Sequence, residues 1–177
     1  PFNYSAEDRA EINRQIAELL EKGVVVPYDG EDSGSWCLPS AFLVKKAGTT
    51  ERRMVVDYRT ANELIEIPEA ETPTMPSIVE AVVGAKWFGT IDLRSAFWQL
   101  LLEEGEDLTV FRGPGGSRYM WKVLPFGIAS APASCQGVVA HALVDVVWRG
   151  AIVYLDDILI YGATREEFLV NLEKVLE

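Results

Sequence analysis

Histidine occurs once and cysteine twice in 177 residues, which leaves too little of either to build a zinc site or a disulfide framework. Cys37 and Cys135 lie far apart without metal-ligand spacing, so a reducing compartment is the easier reading. His141 sits alone in an apolar helical run and reads as packing or surface rather than as a ligand. Long apolar runs are lacking as well: each is broken by charge or glycine well before the roughly 20 residues of a bilayer-crossing helix, and no basic-then-apolar leader opens the chain. No membrane is expected. Nothing repeats internally, and no tract is of low complexity. Basic residues are in deficit too. With 16 Lys and Arg against 27 Asp and Glu, the net charge is −11, which speaks against a generic nucleic-acid binder, because grip on phosphates comes mainly from cations.

What is there is a chain about half apolar and a quarter charged, ample for a core in one domain or two small intertwined ones. Its charges are segregated. Acids gather in the opening segment, from Glu63 to Glu71, around Glu103 to Asp107 and at the end. Cations gather at Lys45, Lys46, Arg52, Arg53 and Arg59, then at Arg112, Arg118 and Lys122. Such segregation allows a cationic groove on an acidic body, or a larger protein whose other parts supply most of the grip.

Two adjacent acids, Asp156 and Asp157, interrupt the apolar runs 151–155 and 158–162. Acids flanked by β-branched and aromatic residues, with Gly162 beyond, predict a hairpin with the pair as its two-residue turn. Like charges this close repel, burial beside apolar walls would raise the cost, and a divalent cation would relieve it. A solvent-exposed acidic turn is the competing reading. Asp92, at the end of another short apolar run, 87–91, adds a third carboxylate. Hard cations such as Mg²⁺ take one or two carboxylates plus substrate phosphates, and two of them can clamp an in-line displacement. The combination points to phosphoryl transfer.

Along the chain, Ser5 caps an amphipathic helix that stops at Gly23, and a Pro- and Gly-rich loop with a short extended piece runs from Val24 to Ser40. Strands are predicted at 41–46 and 54–58, forming a hairpin with a basic tip. An extended connection, 63–76, leads to a helix over 77–83 and a strand over 86–92, followed by a brief helical turn. A second hairpin pairs 108–112 with 118–123. A helix capped by Ser130 runs to Gly150, and Thr164 with Glu167 form a capping box ahead of a last helix over 168–176. Irregular alternation of helices and hairpins makes this an α+β chain.

Four ordered motifs carry a resemblance. Val56-Asp-Tyr-Arg59 with Asn62, Asp92-Leu-Arg-Ser-Ala-Phe97, Leu124-Pro-Phe-Gly127 with Ser130-Ala-Pro132 and Gln136, and Tyr154-Leu-Asp-Asp157 resemble, in order and approximate spacing, the reverse transcriptase family. They are most similar to the Gypsy-type long-terminal-repeat retrotransposon polyproteins. The resemblance implies the palm and fingers of a right-hand polymerase, the palm a ferredoxin-like antiparallel sheet backed by helices. Residues 1–66 would be the first part of the fingers, 67–101 the first part of the palm, 102–125 the second part of the fingers, and 126–177 the second part of the palm. The chain starts without Met and stops soon after the hairpin, so it reads as a piece of a polyprotein, with thumb, connection and RNase H outside it.

The implied activity is that of an RNA-directed DNA polymerase, joining a dNTP to a primer 3′-hydroxyl on an RNA or DNA template. Its cofactor would be Mg²⁺, or Mn²⁺ in its place. Asp92 and Asp156 would be the principal metal ligands, with the Leu93 carbonyl completing a shell and Asp157 assisting. Lys46 and Arg53 would contact the triphosphate. Phe97 would exclude a ribose 2′-hydroxyl, Phe126 and Gly127 would line the nucleotide pocket, and Tyr154 would touch the primer end. Template, primer, dNTP and the remaining polyprotein domains would be its partners, in cytoplasmic virus-like particles.

Blander readings stand beside these. Lys46 and Arg53 also read as solvated strand ends, Phe97 and Tyr154 as packing, and Phe126 with Gly127 as a turn with an apolar plug. Gln136 reads as a buried amide satisfied by backbone, and Asp57 with Arg59 as a structural pair. Trp98, Cys135 and Ala61 depart from the family's common His, Phe and Leu, and the loop from Asp29 to Trp36 is acidic for a template path. A decayed or domesticated domain that binds RNA or protein is the alternative function, against which the survival of all three carboxylates counts.

Overall fold

A computed structural model describes residues 3–30, 38–68, 72–103 and 106–177. They form two compact units: residues 1–66 with 97–131, and residues 67–96 with 132–177.

The first unit begins with α1 (Ala6–Glu21). The Ser5 hydroxyl accepts the Asp8 N–H, and Gly23 ends the helix at φ 69°, in the left-handed region that its lack of a side chain permits. Ile12, Ile16 and Leu19 form the buried stripe of α1. The extended piece expected after it is β1 (Val25–Pro27). The first hairpin comprises β2 (Ala41–Lys45) and β3 (Arg52–Val56), with Lys45 opposite Arg52. Strand β3 therefore starts two residues earlier than expected, and Asp57 and Tyr58 leave it for the one-turn helix α2 (Arg59–Asn62).

In the second unit, α3 (Met75–Ala81) starts ahead of its expected place. Thr74 and Ser77 form a reciprocal capping box, and Pro76 sits in the first turn. The strand β4 (Trp87–Asp92) then ends at the first candidate carboxylate.

Back in the first unit, β5 (Phe111–Arg112) and β6 (Arg118–Trp121) complete the antiparallel sheet β1-β6-β5. Residues 108 and 109, expected to be strand, belong instead to a 3₁₀ turn, Glu106–Thr109. The Tyr58 hydroxyl donates to the Thr109 carbonyl (2.7 Å), and the Trp121 N–H donates to the Thr109 hydroxyl (3.1 Å). These buried bonds hold the turn against the core of Ile12, Ile16, Tyr58, Phe111 and Trp121.

The second unit resumes with α4 (Ala131–Ala142), β7 (Ala151–Tyr154), β8 (Asp157–Gly162) and α5 (Arg165–Leu176). Helix α4 stops well short of Gly150. Residues 143–150 wind instead through successive turns, with Trp148 at φ 64°. Those turns deliver main-chain partners to β7: the Ala151 N–H donates to the Val146 carbonyl, and the Trp148 N–H donates to the Ala151 carbonyl.

The sheet runs β4-β8-β7, all antiparallel. Ile91, Ile158 and Val153 form one row across it on the face packed against Leu143, Phe168 and Leu172. Helix α5 can come this close because β8 ends in glycine. A Cβ at Gly162 would lie 2.6 Å from the Phe168 nitrogen. The strand–helix–strand–strand–helix order, with the first strand beside the third, matches the first five elements of a ferredoxin-like β-α-β-β-α-β unit. No described helix is long and apolar enough to cross a membrane.

Candidate active site

Because side chains alternate across a sheet, the row next to Ile91–Ile158–Val153 projects from the opposite face. That row is Asp92, Asp157 and Tyr154: Asp92 pairs with Asp157, and Asp157 with Tyr154. Directly opposed residues hold their Cβ atoms roughly 5 Å apart, and like charges so placed repel. The expected convergence of position 92 with the acidic hairpin is therefore a matter of strand register. All three carboxylates are exposed, not walled in by apolar groups as burial would require. None joins a salt bridge among the described residues.

The turn itself differs from expectation. Tyr154 and Asp157 close the ladder, so the two turn residues are Leu155 and Asp156, and Asp157 is the first residue of β8. Leu155 takes φ 58°, while Asp156 is not at positive φ, so the first turn position has a backbone that usually calls for glycine. A leucine there carries strain of about 1–3 kcal/mol. Long-range hydrogen bonds hold the arrangement. The Leu93 N–H donates to the Asp156 carbonyl (2.9 Å), tying the end of β4 to the turn. The Leu93 carbonyl accepts the Ala96 N–H (3.2 Å), which leaves its second lone pair for another partner.

The acids suit a hard divalent cation: oxygen donors on two strands and a turn, open to solvent and, among the described residues, in no ion pair. Among the described residues, no three His, Cys, Asp or Glu side chains, Asp92, Asp156 and Asp157 included, converge as a group that could hold a metal ion by themselves. An open set is what Mg²⁺ takes when substrate phosphates and water supply the rest of its shell. The residues fit as such a half-site.

The first unit holds the remaining candidates. A cleft of about 1090 Å³ between α1 and the β2–β3 hairpin is lined in part by Lys46, Arg53, Trp98, Phe126 and Gly127. Lys46 stands 3.5 Å from Glu51, both well exposed, so this ion pair is weak and exchangeable. Arg53 is exposed. Arg52, by contrast, is tied to Glu7 and Asp8 of α1 and is structural. Phe97 is half-buried against the core and packs on Phe126 with ring centroids 5.0 Å apart, so its packing and its candidate role coexist. Phe126 is 53% exposed, and Gly127 beside it has φ 96°, a conformation closed to most side chains. Asp57 and Arg59 do pair with each other, at 2.6 and 2.8 Å, and this holds the Asp57 carboxyl below its ordinary range.

Sequence reasoning anticipated Gln136 as a buried amide satisfied by backbone but missed that the same device recurs three times. An amide side chain spans a single residue by donating to the carbonyl before it and accepting from the N–H after it. Gln15 spans Arg53, through the Arg52 carbonyl and Met54 N–H (both 2.8 Å). Asn62 spans Ile128, through the Gly127 carbonyl and Ala129 N–H (both 2.9 Å). Gln136 spans Tyr154, through the Val153 carbonyl (2.9 Å) and Leu155 N–H (2.7 Å). Each fork braces a segment that carries candidate site residues. The signal available in the sequence was an amide on an otherwise apolar or helical face, and it does not name its partner.

Comparison with known proteins follows the same lines. Residues 44–177 match the family model described as reverse transcriptase (RNA-dependent DNA polymerase). The chain is 35% identical over 98% of its length to the enzymatic polyprotein of Cestrum yellow leaf curling virus, and 35% identical over its whole length to that of cauliflower mosaic virus (strain Strasbourg). It spans only 27% and 26% of those polyproteins. Among solved structures it is similar to a prototype foamy virus protease–reverse transcriptase mutant, with a TM-score of 0.80 and 29% identity over 98% of this chain and 22% of that one. A foamy viral protease–reverse transcriptase in complex with an RNA/DNA hybrid gives a TM-score of 0.78 and 27% identity, with the same coverage.

Proposed function

The chain belongs to the reverse transcriptase (RNA-dependent DNA polymerase) family, and we propose that it supplies the palm and fingers of an RNA-directed DNA polymerase. The observation that carries this reading is the register that sets Asp92 opposite Asp157, with Asp156 in the adjoining turn. In it, the palm is residues 67–101 with 126–177 and the fingers are residues 1–66 with 102–125.

Asp92 and Asp156 would hold the catalytic cations, Mg²⁺ or Mn²⁺. Asp157 would support them from the strand, and the Leu93 carbonyl would offer a further oxygen. The chemistry such cations would supply there is a lowered pKa for a primer 3′-hydroxyl and an offset to the charge on a triphosphate. Lys46 and Arg53 bind the triphosphate, for which Lys46 gives up its weak pairing with Glu51. Phe97, stiffened by Phe126, blocks a ribose 2′-hydroxyl by bulk. The exposed ring of Phe126 and the side-chain-free Gly127 receive the base, and Tyr154, 43% exposed in the carboxylate row, meets the primer end.

Template, primer and dNTP are the substrates. The other domains of a polyprotein (thumb, connection and RNase H) are the covalent partners, a Gypsy-type retrotransposon the source, and cytoplasmic particles the setting. Support for a nucleic-acid duplex as ligand comes from the foamy viral relative solved with an RNA/DNA hybrid.

Primer extension on an RNA template, with the longest polyprotein that carries this chain, tests the reading. Wild type should incorporate dNTPs with Mg²⁺, while Asp92→Asn and Asp156→Asn, folded by circular dichroism, should not. Equal activity in the variants rejects the site. Inactivity of all three with RNA binding retained selects the non-catalytic alternative.

A further inference from the structure

Gln136 lies on α4 and is 2% exposed, yet both ends of its amide are used on β7 rather than on its own helix. Strand β7 is at the edge of the sheet, so one row of its main-chain groups faces away from β8. In a two-residue hairpin the closing pair, here Tyr154 and Asp157, bonds across the ladder, and the groups one residue to either side point outward. At Ala151 the outward N–H and carbonyl are taken by Val146 and Trp148. Further along, the outward Val153 carbonyl and Leu155 N–H are taken by the Gln136 amide. The amide thus stands in for one residue of a missing neighbouring strand, and its acceptor grips the residue whose backbone is in the left-handed region.

We propose that Gln136 is a positioning residue for the metal site: by clamping Val153 and Leu155 it fixes the left-handed turn that presents Asp156 and keeps Asp157 opposite Asp92. The proposal rests on the metal-binding reading above. A leucine left free at that position would relax toward negative φ by rotating the adjoining peptide units, and this would re-aim the Asp156 carboxylate and detach its carbonyl from the Leu93 N–H. Residues that orient metal ligands typically govern affinity without touching the metal.

Two measurements on the same polyprotein separate the possibilities: Mn²⁺ affinity by electron paramagnetic resonance, and hydrogen exchange of the Leu155 segment by mass spectrometry. Gln136→Leu removes both hydrogen bonds. It should weaken Mn²⁺ binding about 10-fold or more and speed exchange at 153–156, with the remaining segments still protected. Gln136→Glu keeps the acceptor and should lose less on both counts. Adding Leu155→Gly to Gln136→Leu should recover much of the Mn²⁺ affinity, since glycine holds positive φ unaided, although the thermal stability lost from α4 stays lost. Unchanged exchange at 153–156 in Gln136→Leu overturns the clamp, as does Mn²⁺ loss that Leu155→Gly fails to recover. Asp156→Asn is the control for the underlying reading. If it binds Mn²⁺ like wild type, the metal site is wrong, whereas the exchange measurement still decides whether Gln136 holds the turn.

Discussion

Replacing Asp92 by Asn should make the metal-free protein more stable while removing the proposed polymerase activity. Asp92 and Asp157 are directly opposed on neighbouring strands. At roughly 5 Å, two unit charges repel by about 0.8 kcal/mol in water and about 3 kcal/mol at an effective dielectric near 20. Exposure of both groups selects the lower figure, and salt reduces it further, to about 0.5 kcal/mol. For a chain of this size that raises the melting temperature by about 1–2 °C. Differential scanning calorimetry in EDTA at low ionic strength reads the shift. The gap should narrow in high salt and narrow or reverse with millimolar Mg²⁺, which stabilises the wild type by binding its folded state. A variant that melts below the wild type in EDTA, or whose shift ignores salt, would falsify the opposed-carboxylate geometry.

Tyr58→Phe removes the buried hydrogen bond from the Tyr58 hydroxyl to the Thr109 carbonyl and should cost about 0.5–1.5 kcal/mol, seen as a lower urea midpoint without loss of the carboxylate site. The Cys135 thiol, pushed up by burial and then by the nearby Asp156 charge, should react slowly with thiol reagents at pH 8 and rapidly once the protein is unfolded. Asp57, held down by its hydrogen bonds to Arg59, and Asp8, held down by Ser5 and then Arg52, bind protons less readily folded than unfolded. Their stabilisation is therefore present above the ordinary carboxylate pKa and fades as pH falls through the lower folded value. Acid titration by circular dichroism should show Asp57→Asn flattening that decline below about pH 4.

Local chemistry was legible wherever a few consecutive residues decide the outcome. Ser5 and Gly23 bracket α1, Thr164 caps α5 by accepting the Glu167 N–H, and the apolar run before Asp92 is β4. Errors arose where distant partners intervene. Adjacent aspartates are good turn formers, yet the turn sits one residue earlier, because Gln136 takes the Leu155 N–H and Leu93 reaches the Asp156 carbonyl. The apolar pattern through Val146 and Val147 looked like continuing helix, but residues 146–148 are needed as partners for the edge of β7.

By itself, the sequence determined which side chains could do chemistry and roughly which elements carry them, since caps, turns and alternation depend on neighbours a few residues away. Tertiary structure alone decided the pairing. That Asp92 faces Asp157 while Asp156 occupies the turn, and that Gln15, Asn62 and Gln136 brace segments far along the chain, follow from strand register and buried hydrogen bonds. These are set by contacts between residues remote in sequence, where no local preference reaches.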